Sequence, residues 1–261
     1  MPTVTNDGVE CYYETTGDGP TVAFVGPVGY GAWCWSWLVD GLGDRFERLV
    51  WDLRGTGRSA APEGPYDVAA LTSDLEAVLH DHGAGDVHLV GAGLGGMIAL
   101  QYARQGTRAT TLTLLGTAAE GSRVDADALD GLGAPLDDAD ALRESLRGAF
   151  SPGVVDDHPE IVDRLVEWRR SDDAAPEARA AQAAAMTGFD IADDLYEITT
   201  PALVCHGRAD AVVPVAAGEA LADGLPRGEF HGIDAGHLVA VEEPAAVEDE
   251  LFAFLDERVD L

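Results

Sequence analysis

The chain of 261 residues contains no lysine: all 16 of its basic residues are arginine, set against 47 Asp and Glu, for a formal charge of −31. That balance excludes a nucleic-acid binder, because affinity for phosphate comes from clustered Lys and Arg that displace counterions, and here the field repels phosphate. An anionic membrane surface is disfavoured for the same reason. Long apolar runs are missing too, and none reaches the roughly 18 residues of a membrane span. Cysteine is scarce: Cys11, Cys34 and Cys205 are odd in number, far apart and in no CxxC pair, which argues against a disulfide framework or zinc knuckle. The expectation is three reduced thiols in a cytoplasmic protein. Met1 to Asp7 has neither the basic nor the apolar region of a signal peptide.

Apolar residues make up 46% of the chain, and the acids are dispersed among them, so the charge is expected on the surface of a folded protein and not in a disordered tail. Such a surface repels itself until salt shortens the screening length, to roughly 3 Å at about 1 M. The acidic, lysine-free composition resembles that of proteins from salt-accumulating halophiles such as haloarchaea, and implies a stability that rises with salt.

Short apolar runs alternate with segments of helical period, the pattern of an α/β protein with a mostly parallel, twisted sheet flanked by crossover helices. Strands are predicted at Val9 to Tyr13, Val22 to Val25, Leu49 to Trp51, Val87 to Val90, Thr111 to Leu115, Ala202 to Cys205 and Glu229 to Ile233. One helix is expected from the N-cap Asp67 to a terminating Gly83, with Val68, Leu71, Leu75, Val78 and Leu79 as its apolar stripe. Another starts at Pro244, with Glu242 and Glu243 at its positive end, and runs to Leu255. Between residues 118 and 199 strand signals vanish and helical pieces take over (Ala141 to Phe150, Pro159 to Arg170, Pro176 to Met186). This predicts a core of residues 1–117 and 200–261 with a helical cap inserted between two of its strands.

Three segments carry the chemistry. Asp52-Leu53-Arg54-Gly55-Thr56-Gly57-Arg58-Ser59 follows a strand; His88 to Leu100 reads as strand, glycine turn and helix; and His206-Gly207-Arg208-Ala209-Asp210 is followed 27 residues after Asp210 by His237. In this order they resemble the α/β-hydrolase family, and the likeness runs from about Val9 to Leu255. The family places a serine nucleophile on a strained G-x-S-x-G turn. Here the frame is Gly91-Ala92-Gly93-Leu94-Gly95, so Gly93 stands at the nucleophile position with no side chain. Glycine occupies such a turn without strain, so loss of the hydroxyl is expected to stabilise it.

The resemblance implies an acid at Asp210, a base at His237, and oxyanion donors at the Leu94 amide and on the loop after the second predicted strand. That loop reads Gly26-Pro27-Val28, and Pro27 has no N–H to give. Trp33, Trp35 and Trp37, with Tyr30, either form one wall of the pocket or pack the loop onto the sheet, with packing expected for at least two of the tryptophans and Trp35 taken as the pocket residue. Cys34 is either a displaced nucleophile or, the favoured reading, a packed thiol. Ser59 and Ser122 read as turn residues, and no histidine pair has metal-ligand spacing. Gly91 to Gly96 lacks the residues of a phosphate loop, so no metal and no cofactor is expected.

Within the family the likeness extends to small-molecule hydrolases such as enol-lactonases and aminoacrylate hydrolases. It implies a hydrolase or lyase in which His237, oriented by Asp210, acts as general base on water or a bound substrate near Gly93. Two alternatives stay open: an inactive member that binds or senses a small ligand, and a serine esterase or lactonase with glycine engineered at its nucleophile.

Overall fold

A computed structural model of the chain describes residues 2–106 and 108–258. Eight strands form one sheet in the order β1-β2-β4-β3-β5-β6-β7-β8: β1 Thr3–Asn6, β2 Val9–Thr16, β3 Thr21–Val25, β4 Glu47–Trp51, β5 Val87–Ala92, β6 Ala109–Leu115, β7 Ala202–Gly207 and β8 Gly228–Ile233. Pairing is antiparallel for β1 with β2 and β2 with β4, and parallel from β4 through β8. Every residue of β3 and of β7 is buried, which is why these strands read as unbroken apolar runs and not as alternation.

Helices cover both faces. Between β3 and β4 comes the short α1 Ser36–Gly41; α2 Val68–His82 and α3 Leu94–Arg104 follow β4 and β5, and pack against each other. α2 begins as the sequence predicts, with the Asp67 carboxylate accepting the Ala70 N–H at 2.7 Å, and ends at Gly83 in the left-handed region. Between β6 and β7 lie α4 Ala126–Gly131, α5 Ala139–Ser145, α6 Val154–Asp157, α7 Pro159–Asp172 and α8 Pro176–Thr187, which form the cap. α9 Val215–Gly224 packs on β7 and β8, and α10 Val239–Glu242 leads into α11 Pro244–Asp256. No helix among the described residues is long and apolar enough to cross a membrane.

Three differences from the predicted elements have physical causes. β1 is four residues of half-exposed edge strand, too short to carry a pattern. α9 carries Gly218 mid-helix, where a Cβ would lie 2.3 Å from the buried His206 ring, so packing against that ring overrides helix propensity. Glu242 does not serve the start of α11. It ends α10 and accepts hydrogen bonds from the Gly236 and Ser151 amides at 2.8 and 3.0 Å; Glu243 is the α11 N-cap residue, without a side-chain cap bond.

The cap is tied down at both its stem and its underside. At the stem Glu120 and Asp190 form an isolated antiparallel bridge, flanked by Gly121 N–H to Phe189 O at 2.7 Å and Ile191 N–H to Ala119 O at 3.0 Å. Underneath, the Ala174 amide donates to Gly29 O and the Gly57 amide to Asp172 O. Gln182 of α8, fully buried, accepts from the Gly29 amide at 2.7 Å and donates to Arg54 O and Thr56 Oγ1. A buried carboxylate needs partners, and each of the four among the described residues has them: Asp52 with Arg58, Asp74 with Arg54, Asp173 with Arg169, and Asp210 with histidine.

Candidate active site

The turn after β5 places Gly93 at φ +51°, ψ −114°, a conformation that costs a side-chain-bearing residue about 1–3 kcal/mol and glycine little. The turn is held by its neighbours: the Gly93 amide donates to Leu115 O at 2.9 Å, and Thr117 Oγ1 donates to the Gly93 carbonyl at 2.7 Å. A Cβ built on Gly93 would lie 3.6 Å from His237 Nε2 and 3.5 Å from Pro27 Cβ, both ordinary contacts. A Cβ therefore fits there in van der Waals contact, and the direction a nucleophile side chain would take faces the imidazole. Leu94 follows as the first residue of α3, so its amide is one of the helix's unpaired N-terminal donors.

His237 sits on the loop after β8, and its Nδ1 lies 2.9 Å from Asp210 Oδ2. With Nδ1 facing the carboxylate, the ring turns Nε2 toward Gly93. Asp210 Oδ1 accepts the Val212 and Val213 amides, both at 2.8 Å, so the carboxylate cannot rotate away. His206, the last but one residue of β7, brings a second imidazole. Its Nε2–H donates to Val213 O at 2.7 Å and lies 3.3 Å from Asp210 Oδ2. Burial works against charge on Asp210, but the facing His237 and His206 rings outweigh it and hold the carboxyl well below the usual carboxylate range. Gly116 closes the floor: a Cβ there would lie 3.3 Å from Asp210 Oδ2.

The donors for an oxyanion are fewer than the fold allows. Pro27 has none, and the Gly29 amide is committed to Gln182, which leaves the amides of Leu94 and Val28. Gly26 ends the strand-to-loop turn just before Pro27. Pro27, Cys34, Trp35, Ala92, Leu115, His237 and residues 238–241 surround a cavity of about 10 Å³, room for roughly one water molecule.

Trp35 is buried against Phe24, and its indole N–H has no partner among the described residues. Cys34 shares the cavity with His237, and burial pushes its thiol well up, which disfavours the thiolate that a nucleophile needs. Trp33 packs edge-on to Tyr30, and with Trp37 meets Trp168 of the cap. Ser59 Oγ donates to Asp52 O at 2.5 Å inside its turn, and Ser122 Oγ donates to half-buried Glu120. Among the described residues no group of three or more His, Cys, Asp or Glu side chains could hold a metal ion.

The structure thus brings Gly93, Leu94, Pro27, Trp35, Asp210 and His237 to one end of the sheet, at the carboxyl ends of β3, β5 and β7 and the loop after β8. Sequence reasoning passes over His206, Glu242, Thr117 and Gln182. Only His206 carried a readable signal, its position four residues before Asp210 at the end of a strand; the others depend on contacts between distant segments.

Comparison with known proteins agrees with this geometry. The sequence profile described as "Alpha/beta hydrolase family" matches residues 23–250. The chain is 30% identical to a putative carbamate hydrolase RutD of Variovorax paradoxus, over 94% of this chain and 95% of that one. It is 28% identical to 3-oxoadipate enol-lactonase 2 of Acinetobacter baylyi, over 94% and 92%. Among solved structures, a hydrolase from Pseudomonas aeruginosa superposes with a TM-score of 0.85 at 27% identity, covering 97% of this chain and 96% of the other. Sheet order, the turn at Gly93 and the Asp210–His237 pair find their common explanation here: the chain belongs to the alpha/beta hydrolase family.

Proposed function

We propose that the protein hydrolyses a small acyl compound by direct attack of water, with His237 as general base and Asp210 as its orienting acid. The observation that carries this reading is the geometry at Gly93, where a Cβ would stand 3.6 Å from His237 Nε2 and no side chain is present. In this reading the attacking water takes the place of the absent side chain and hydrogen-bonds Nε2, while the substrate carbonyl oxygen turns to the Leu94 amide at the start of α3. The water adds to the substrate carbonyl as its proton passes to Nε2, and the imidazolium then returns that proton to the leaving oxygen or nitrogen. No acyl-enzyme forms, because no residue stands where the family's nucleophile would.

The sparse oxyanion support narrows the substrate class. Loss of one donor costs about 10²–10³ in rate, so the reaction needs a carbonyl with a good leaving group. Enol esters and lactones, aryl esters and activated carbamates meet this, and the names of the two curated relatives, an enol-lactonase and a putative carbamate hydrolase, support the same class. His237 and Asp210 side chains are 4% and 0% exposed, so a substrate reaches them only when the surrounding residues move.

The test is a screen of enol lactones, p-nitrophenyl esters and carbamates at about 2 M KCl, followed by His237→Ala and mass spectrometry of the enzyme during turnover. The expected result is turnover that falls by at least about a hundredfold in the variant, with no covalent adduct. Full turnover in His237→Ala, or a trapped acyl adduct on any residue, overturns the mechanism. Ligand binding without product across the whole screen favours a binding or sensor protein.

A further inference from the structure

The cap contains a cavity of its own, about 510 Å³, between α4, the turn after it and the outer face of α8. Its walls are small and apolar, chiefly Ala126, Leu129, Ala180, Ala183 and Ala184, and no residue of the sheet or of the dyad lines it. Three polar side chains join this wall, Asp130, Thr187 and Arg179, and Arg179 alone is a cation. Eleven of the sixteen arginines are ion-paired, as expected in so acidic a chain, but Arg179 has no carboxylate within ion-pair distance among the described residues. Asp130 at the rim is exposed, and Asp173 is already engaged by Arg169. Burial accordingly pulls the Arg179 guanidinium below the ordinary arginine range.

The guanidinium is nonetheless fitted into place. Nη1 donates to Val28 O and Nη2 to Leu129 O, and it lies against Gly29 and Gly133, where added Cβ atoms would meet it at 2.7 and 2.5 Å. A planar cation with five donors, two of them used on carbonyls, keeps donors for an anion. A desolvated cation at the base of an apolar cavity is matched by a ligand with one carboxylate and a short hydrocarbon body.

We propose that this cavity is a second ligand site, separate from the dyad, that takes a small aliphatic carboxylate with its head on Arg179 and its body among the alanines of α4 and α8. The proposal does not depend on the hydrolytic reading, because it concerns binding alone.

The probe is octanoate, with octylamine and 1-octanol as matched controls, titrated into the intact protein by calorimetry at about 1 M KCl, where long-range charge effects are screened. Expected is one saturable site for octanoate and none for the controls at the same concentrations. Arg179→Gln weakens binding at least about tenfold, as loss of a charge-assisted pair does. Ala183→Leu, which fills the cavity and leaves Arg179 intact, abolishes it with little change in the unfolding midpoint. His237→Ala leaves it unchanged. The proposal is overturned by absence of saturable octanoate binding, by equal binding of octylamine, by indifference to both cavity variants, or by loss in His237→Ala with retention in Arg179→Gln.

Discussion

Replacing Gly93 with alanine separates backbone strain from packing. At φ +51°, ψ −114° a side-chain-bearing residue costs about 1–3 kcal/mol. The added Cβ meets Pro27 and His237 at 3.5 and 3.6 Å, so no steric cost is added. For a chain of 261 residues the unfolding entropy makes that loss a fall in Tm of about 2–6 °C. Gly95→Ala is the contrast: its Cβ would lie 1.9 Å from Val25 O, where only backbone can give way, and its cost should exceed about 4 kcal/mol. Gly93→Ser should match the alanine variant in stability and also acquire chemistry, since a hydroxyl on that Cβ reaches His237 Nε2. The readouts are thermal unfolding in fixed salt and burst kinetics with p-nitrophenyl acetate. The serine variant should acylate and turn over slowly, held back about 10²–10³ by the oxyanion donor that Pro27 cannot supply. The reasoning fails if Gly93→Ala is as stable as the parent, if it unfolds as readily as Gly95→Ala, or if the serine variant forms no acyl-enzyme.

Three further outcomes follow from other parts of the molecule. Because Asp210 has its pKa lowered in the folded state, the stability it contributes is fully present above about pH 4 and is lost as pH falls through its native value; the acid limb of the stability curve should therefore flatten in Asp210→Asn, and an unchanged limb refutes the assignment. We expect the unfolding midpoint to rise from about 0.1 M to about 2 M KCl, since 47 acids face 16 arginines; a constant midpoint would show that self-repulsion is not limiting. Gln182→Leu should destabilise by about 1–3 kcal/mol and speed hydrogen exchange at the Gly29 amide, which it leaves without its acceptor; unchanged protection there would mean that another group holds the loop.

The parts of the fold legible in sequence are those written in consecutive residues. The buried strands announce themselves as apolar runs because both faces are covered; α2 shows its two ends because Asp67 and Gly83 act locally; and the frame around Gly93 is contiguous, so the missing hydroxyl is plain. Gln182 is hidden for the opposite reason. It lies in an alanine-rich helix and acquires its role from a loop more than a hundred positions away. Glu242 misleads, because two acids before a proline look like the start of a helix, while the side chain of one turns back to Ser151 and Gly236. Thr117 is an ordinary strand-end threonine until the Gly93 carbonyl appears beside it.

Gln182 also sets a rule for any measurement of affinity. Its carbonyl oxygen holds the Gly29 amide, and its amide holds Arg54 and Thr56, so lifting the cap and loosening the loop beside Pro27 are the same event. A ligand that enters only when the cap is raised must first break those three bonds, and recovers them when the cap returns. Its apparent dissociation constant is therefore the product of an intrinsic affinity and a gating equilibrium. Weakening the latch should raise the rates of entry and departure together, so the residence time of a bound molecule reports on a glutamine that never touches it.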